Sequence, residues 1–142
     1  MAGEGEARAA VIGLGSMGLG MARSLLKAGF AVAGYDVTAE NAVRLAADGG
    51  RAATSPADAA RGAGVVVSVV VNAAQTEAVL FGPDGCAAAM RDGAVFVSSA
   101  TMDPDVARGL ARRLEATGRH YLDAPMSGGG ARAAPPLIGA SR

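Results

Sequence analysis

Residues 9–18 read Ala9-Ala10-Val11-Ile12-Gly13-Leu14-Gly15-Ser16-Met17-Gly18. The first four form a short apolar run that ends at glycine, the pattern of a buried strand. From Ser16 to Ala28 the spacing turns helical, with Met17, Met21, Leu25 and Ala28 on one face. Gly29 stands where such a helix stops. Between strand and helix lies G-x-G-x-x-G, and in that setting each glycine has its own task. Gly13 permits the tight turn, Gly15 leaves backbone open to a diphosphate, and Gly18 lets the helix pack closely on the strand. The helix N-terminus adds free N–H groups and the positive end of its dipole.

The rest of the chain repeats the strand–helix alternation. Phe30–Asp36 reads as a second strand, and Thr38 as the cap of a helix running through Val43 and Leu45 to Gly49. Arg51–Thr54 is a weak third strand, followed by a short helix opened by Ser55-Pro56. Val65–Val71 is nearly all valine, broken only by Ser68. Such continuous apolarity marks a strand buried on both faces. A helix near Gln75–Phe81 and a Gly82-Pro83-Asp84-Gly85 turn come next. Val95–Ser98 is a strand, and Asp103-Pro104 starts a helix with Val106, Leu110 and Leu114 on one stripe. Gly118 ends that helix before a last strand at His120–Leu122. The alternation predicts an α/β fold, a Rossmann-type doubly wound parallel sheet in three layers. Ligands in such sheets bind beyond the carboxyl ends of the strands.

Asp36 ends the second strand, 18 residues after Gly18. A carboxylate there accepts hydrogen bonds from an adenosine ribose and repels a 2′-phosphate. No arginine follows it, since the next residues are Val37 and Thr38. The pair of signals predicts a dinucleotide site that favours NAD over NADP. A glycine-rich turn without a ligand and a solvated strand-end aspartate are the alternatives for these residues. An adenosyl-methionine or flavin nucleotide would also suit Asp36.

Composition bounds the function. The 142 residues are 51% hydrophobic, enough for one domain with a core. Lys plus Arg and Asp plus Glu stand at 13 each, so no broad basic face invites nucleic acid. The uncharged stretch from Ala9 to Ala22 follows Glu4 and Glu6, where a signal peptide wants positive charge. No uncharged run reaches the roughly 18–20 residues that span a bilayer. Cys86 is alone, so no internal disulfide forms and a reducing cytoplasm is the expected location. No metal-ligand pattern is present.

On these residues the chain resembles the β-hydroxyacid dehydrogenases, the group of 3-hydroxyisobutyrate, tartronate semialdehyde and L-threonate dehydrogenases. Their N-terminal domain is related to that of 6-phosphogluconate dehydrogenase. Asp123-Ala124-Pro125-Met126-Ser127-Gly128-Gly129 is similar to the group's D-A-P-V-S-G-G segment. Ser98-Ser99-Ala100-Thr101 falls at its Ser/Thr-rich loop, and Val70-Val71-Asn72-Ala73-Ala74-Gln75 looks most like the L-threonate branch. The resemblance implies that Gly13, Leu14, Gly15, Ser16, Met17, Gly18 and Asp36 hold the cofactor. It implies that Val71 and Asn72 line the cofactor's ribose and nicotinamide end and that the Thr101 side chain contacts the cofactor. It also implies that Ser127, Gly128 and Gly129 receive a small hydroxyacid through its carboxylate.

The chain departs from that group in two ways. The group's general base is a lysine well beyond the Ser-Gly-Gly loop, and the chain's single lysine is Lys27, near the end of the first helix. No catalytic residue is therefore assigned. His120 sits at the wrong end of its strand to serve, and Cys86 has no partner that would activate it. After Ala134 the sequence Pro135-Pro136-Leu137-Ile138-Gly139-Ala140-Ser141-Arg142 matches nothing in the group. The expected organisation is a flexible lead over 1–7, an NAD(P)-binding domain over 8–134 and an aberrant or truncated tail over 135–142. The expected organisation lacks the group's all-helical C-terminal domain, and with it the expected source of a homo-oligomer interface. This predicts a cofactor-binding chain that is inactive alone. A non-catalytic dinucleotide-sensing or partner-binding module is the alternative.

Overall fold

A computed structural model describes residues 7–124. Six parallel strands form one sheet in the order β3-β2-β1-β4-β5-β6. They are β1 (Arg8–Ile12), β2 (Ala31–Tyr35), β3 (Arg51–Ala52), β4 (Val65–Ser68), β5 (Val95–Ser98) and β6 (His120–Asp123). The helices are α1 (Ser16–Lys27), α2 (Ala39–Ala47), α3 (Pro56–Ala60), α4 (Ala73–Phe81) and α5 (Pro104–Glu115). Strand order reverses between β1 and β4. Chain leaving β1 goes one way and chain leaving β4 goes the other, which opens a crevice at their carboxyl ends.

Pleating sends alternate residues of each strand to opposite faces. Ala9, Val11, Val32, Val67 and Val97 face α1 and α2, where they meet Leu19, Ala22 and Leu45. Ala10, Ile12, Val66 and Phe96 face the other way and pack on Val79, Leu80, Met90 and Leu114. The three-layer expectation therefore holds, with a separate core on each side of the sheet. Phe96 is fully buried, and removing a side chain of that size from water is worth roughly 1.5–3 kcal/mol.

Four local readings change. β4 ends at Ser68 rather than Val71, because Ser68 is the last residue registered with both β1 and β5. Val71 is 73% exposed. α4 starts at Ala73 with Asn72 as its cap, earlier than Gln75. On α5 the buried stripe is Ala107, Leu110 and Leu114, while Val106 is 44% exposed. Thr38 stands at the N-cap of α2, but its side chain makes no capping bond.

Candidate functional site

The glycine turn is built from backbone contacts that tolerate no side chain. Gly13 has φ +95°, and a Cβ there would lie 2.5 Å from the carbonyl oxygen of Val69 on the neighbouring strand exit. A Cβ on Gly18 would lie 1.8 Å from the Gly13 carbonyl oxygen, so the first turn of α1 rests directly on the loop. Gly15 differs, because nothing lies within 4 Å of where its Cβ would be. No contact among the described residues requires glycine there. The open space lies at the N-cap of α1, which has no side-chain cap and no acidic residue in its first turn. By contrast Ser55, Asn72 and Asp103 cap α3, α4 and α5 with their side chains. The unclaimed N–H groups and positive dipole end of α1 are thus left open to an anion.

Asp36 is tied to that loop. Leu14 N–H donates to its Oδ2 at 2.6 Å and Thr38 N–H donates to its Oδ1 at 2.8 Å. Each carboxylate oxygen keeps a further lone pair for a ligand hydroxyl. Leu14 itself is fully buried between β2 and α2, so it serves the site through its backbone. Ser16 is exposed and Met17 half-buried.

A cavity of about 540 Å³ lies beyond the carboxyl ends of β1, β2 and β4, within the size range of small-molecule and cofactor sites. Gly13, Asp36, Val37, Val69, Val71 and Gln75 line it, and Pro56, Pro83 and Asp84 close it on the side of α3 and α4. Val37 is 88% exposed, so apolar surface faces the opening on both flanks. Asn72 is not among the residues that line the cavity; it caps α4 beside them. Its Oδ1 accepts from Gln75 N–H at 2.9 Å, and Gln75 Oε1 accepts from Val71 N–H at 2.8 Å. This reciprocal pair resembles a capping box and holds Val71 at the rim.

Thr101 lies exposed just past the carboxyl end of β5. The Ser99 hydroxyl before it donates to the Ser68 carbonyl at 2.8 Å and fastens β5 to β4. Ser127, Gly128 and Gly129 lie outside the described residues. β6 ends on the same carboxyl edge of the sheet, where Asp123 is in register with Ser98. Burial raises the pKa of the Asp123 carboxyl.

Other titratable groups stand apart from the crevice. His120 is in register with Val95 at the amino end of the sheet. Lys27 is exposed in the last turn of α1. Cys86 is fully buried, and desolvation pushes its thiol up to about 12, which leaves it unreactive. Among the described residues, no three His, Cys, Asp or Glu side chains are placed to hold a metal ion. No helix there is long and apolar enough to cross a membrane.

The sequence reading did not place Val37, Gln75 or the 82–85 turn in the site. Asn72-Ala73-Ala74-Gln75 carried a signal for Gln75, since a capping residue three before Gln marks a helix start.

A glycine turn at an open helix N-terminus, an aspartate at the next strand end and a crevice at the switch point define a dinucleotide-binding α/β domain. The family model for the NAD binding domain of 6-phosphogluconate dehydrogenase matches residues 8–138, and the chain belongs to that family. It is similar to L-threonate dehydrogenase of Cupriavidus necator, with 53% identity over 87% of this chain and 42% of that protein. It is 35% identical to mitochondrial 3-hydroxyisobutyrate dehydrogenase of Rattus norvegicus over 83% of this chain and 35% of that protein. The crystal structure of a 3-hydroxyisobutyrate dehydrogenase from Salmonella typhimurium matches with TM-score 0.83 and 40% identity. That match covers 91% of this chain and 45% of the other. The chain thus spans less than half the length of these relatives.

Proposed function

We propose that the chain binds NAD(H) in this crevice as the cofactor half of an oxidoreductase acting on the CH–OH group of a small hydroxyacid. The observation that carries the reading is Gly15, whose missing side chain leaves room that no described residue fills. The residues fit the dinucleotide group by group. N–H groups at Ser16, Met17 and Gly18 face the diphosphate. Asp36 accepts from the ribose hydroxyls and opposes a 2′-phosphate, which favours NAD over NADP. Val37 and Val71 offer apolar surface to the base. Asn72 and Thr101 line the path toward the nicotinamide, and Ser127, Gly128 and Gly129 receive the substrate carboxylate with hydroxyl and backbone donors.

The bound cofactor supplies the hydride acceptor. The chain's part is to hold it, orient it and screen its phosphates. The relatives named above are L-threonate and 3-hydroxyisobutyrate dehydrogenases, and a hydroxyacid of that type is the substrate class proposed. Lys27 lies exposed in the last turn of α1, apart from the crevice, so no general base is assigned to the described residues; removing a general base commonly costs about 10²–10⁴-fold in rate. A second reading is a non-catalytic module that senses dinucleotide or joins a partner.

Titration of NADH and NADPH against the purified chain and its Asp36→Ala variant tests the cofactor reading. Saturable NADH binding that weakens in the variant supports it. Binding of neither dinucleotide refutes it. Steady turnover of L-threonate or 3-hydroxyisobutyrate by the chain alone would contradict the assignment of no general base.

A further inference from the structure

We propose that Asp84 reads the 6-amino edge of the adenine ring and makes the crevice selective for an adenine dinucleotide over its hypoxanthine counterpart. The inference rests on the dinucleotide reading above and adds a specificity residue to it. The Gly82-Pro83-Asp84-Gly85 turn belongs to no part of the glycine motif, yet Pro83 and Asp84 line the same cavity as Gly13 and Asp36. A ligand with its diphosphate at Gly13 and its ribose at Asp36 has its base in what remains of that cavity.

The turn presents Asp84 on a fixed backbone. Gly85 N–H donates to the Gly82 carbonyl at 2.9 Å, and Ala57 N–H of α3 donates to the Asp84 carbonyl at 3.0 Å. A Cβ on Gly82 or Gly85 would lie 2.5 or 2.4 Å from the carbonyl oxygen of Ala78 or Leu80, so the turn packs against α4 without slack. Only the Asp84 backbone is engaged. Its exposed carboxylate has no hydrogen bond or ion pair with another described residue.

Charge narrows the ligand edge. Among the described residues, two carboxylates, Asp36 and Asp84, line the cavity, and no lysine or arginine does. An ionised carboxylate accepts hydrogen bonds and donates none. The edge that meets Asp84 must therefore bring an N–H donor. The 6-amino group of adenine supplies one, whereas the 6-oxo group of hypoxanthine would set lone pair against lone pair, and the nearest donor of that ring, N1–H, lies one atom further along its edge. The rings are alike in size and stacking surface, so the pair compares these two edges.

The test measures affinity of the full chain for NADH and for reduced nicotinamide hypoxanthine dinucleotide, in wild type, Asp84→Ala and Asp84→Asn. Wild type is expected to favour NADH about tenfold or more, the scale of one hydrogen bond to a charged group. Asp84→Ala should bring the ratio near unity. Asp84→Asn should move it further toward hypoxanthine, because a carboxamide offers an N–H to the oxo group. Equal affinities in wild type, or a ratio unchanged in folded variants with unaltered thermal midpoints, overturn the assignment and leave the dinucleotide reading standing. Failure of wild type to bind NADH at all overturns both.

Discussion

Leu14 N–H and the Asp36 carboxylate lie 2.6 Å apart, across 22 residues of sequence. The contact joins the two halves of the proposed cofactor site before any ligand arrives. The aspartate proposed to favour a free ribose hydroxyl also holds the glycine turn to the end of β2. A change made at Asp36 to alter cofactor choice therefore acts on the turn as well.

Asp36→Ala is expected to lower stability without ligand, because Leu14 and Thr38 N–H groups both lose their acceptor. The expected loss is about 1–3 kcal/mol. Asp36→Asn keeps a carbonyl oxygen and should lose less. Urea unfolding of the three proteins checks the order, and equal midpoints would show that the carboxylate does not support the turn.

The three motif glycines are expected to separate folding from binding. Gly13→Ala strains a backbone at φ +95° and meets the Val69 carbonyl, and Gly18→Ala meets the Gly13 carbonyl. Each should destabilise by roughly 2–4 kcal/mol. Gly15 has φ −67° and ψ −169°, which alanine adopts freely. Gly15→Ala should hold or raise stability by about 0.4–1 kcal/mol and still weaken NADH binding. Denaturation and NADH titration of the same three variants read both effects. Undiminished binding in Gly15→Ala would remove the argument for that position.

Asp58 gives a pH dependence of known sign. The Thr54 N–H bond chiefly, with Arg51 and Arg61 nearby, holds its carboxyl below the ordinary carboxylate range against a smaller opposing effect of burial. The unfolded chain binds that proton more readily than the folded one. The stability Asp58 contributes is then complete above the unfolded value of about 3.9 and fades as pH falls through the lowered folded value. Asp58→Asn should be less stable than wild type at pH 7, with the gap closing toward pH 3. Thermal midpoints across that range test it, and a gap independent of pH would assign the effect to packing.

The strand–turn–helix unit, the alternation that follows it and Asp36 were legible because their signals are local. Each glycine sits within a few residues of the apolar run it serves. The end of β4 was not legible, since Val69, Val70 and Val71 continue the valine run after pairing with β5 has stopped at Ser68. The α5 stripe was misplaced by one residue because Ala107, which is buried, carries a weaker apolar signal than Val106, which is not. The wall formed by Pro83 and Asp84 comes from chain folding back beside α3. That neighbourhood exists in space and leaves no trace in spacing.

The most direct test of the cofactor site is a map of backbone amide shifts as NADH is added to the isotope-labelled chain. The account predicts saturable shifts at Gly13, Gly15 to Gly18, Asp36, Val37, Val71 and Asp84, with little change at Arg8, Arg51 and Arg61, which line a separate cleft of about 340 Å³. Shifts centred on that cleft, or none at the α1 N-terminus at saturating NADH, would contradict it.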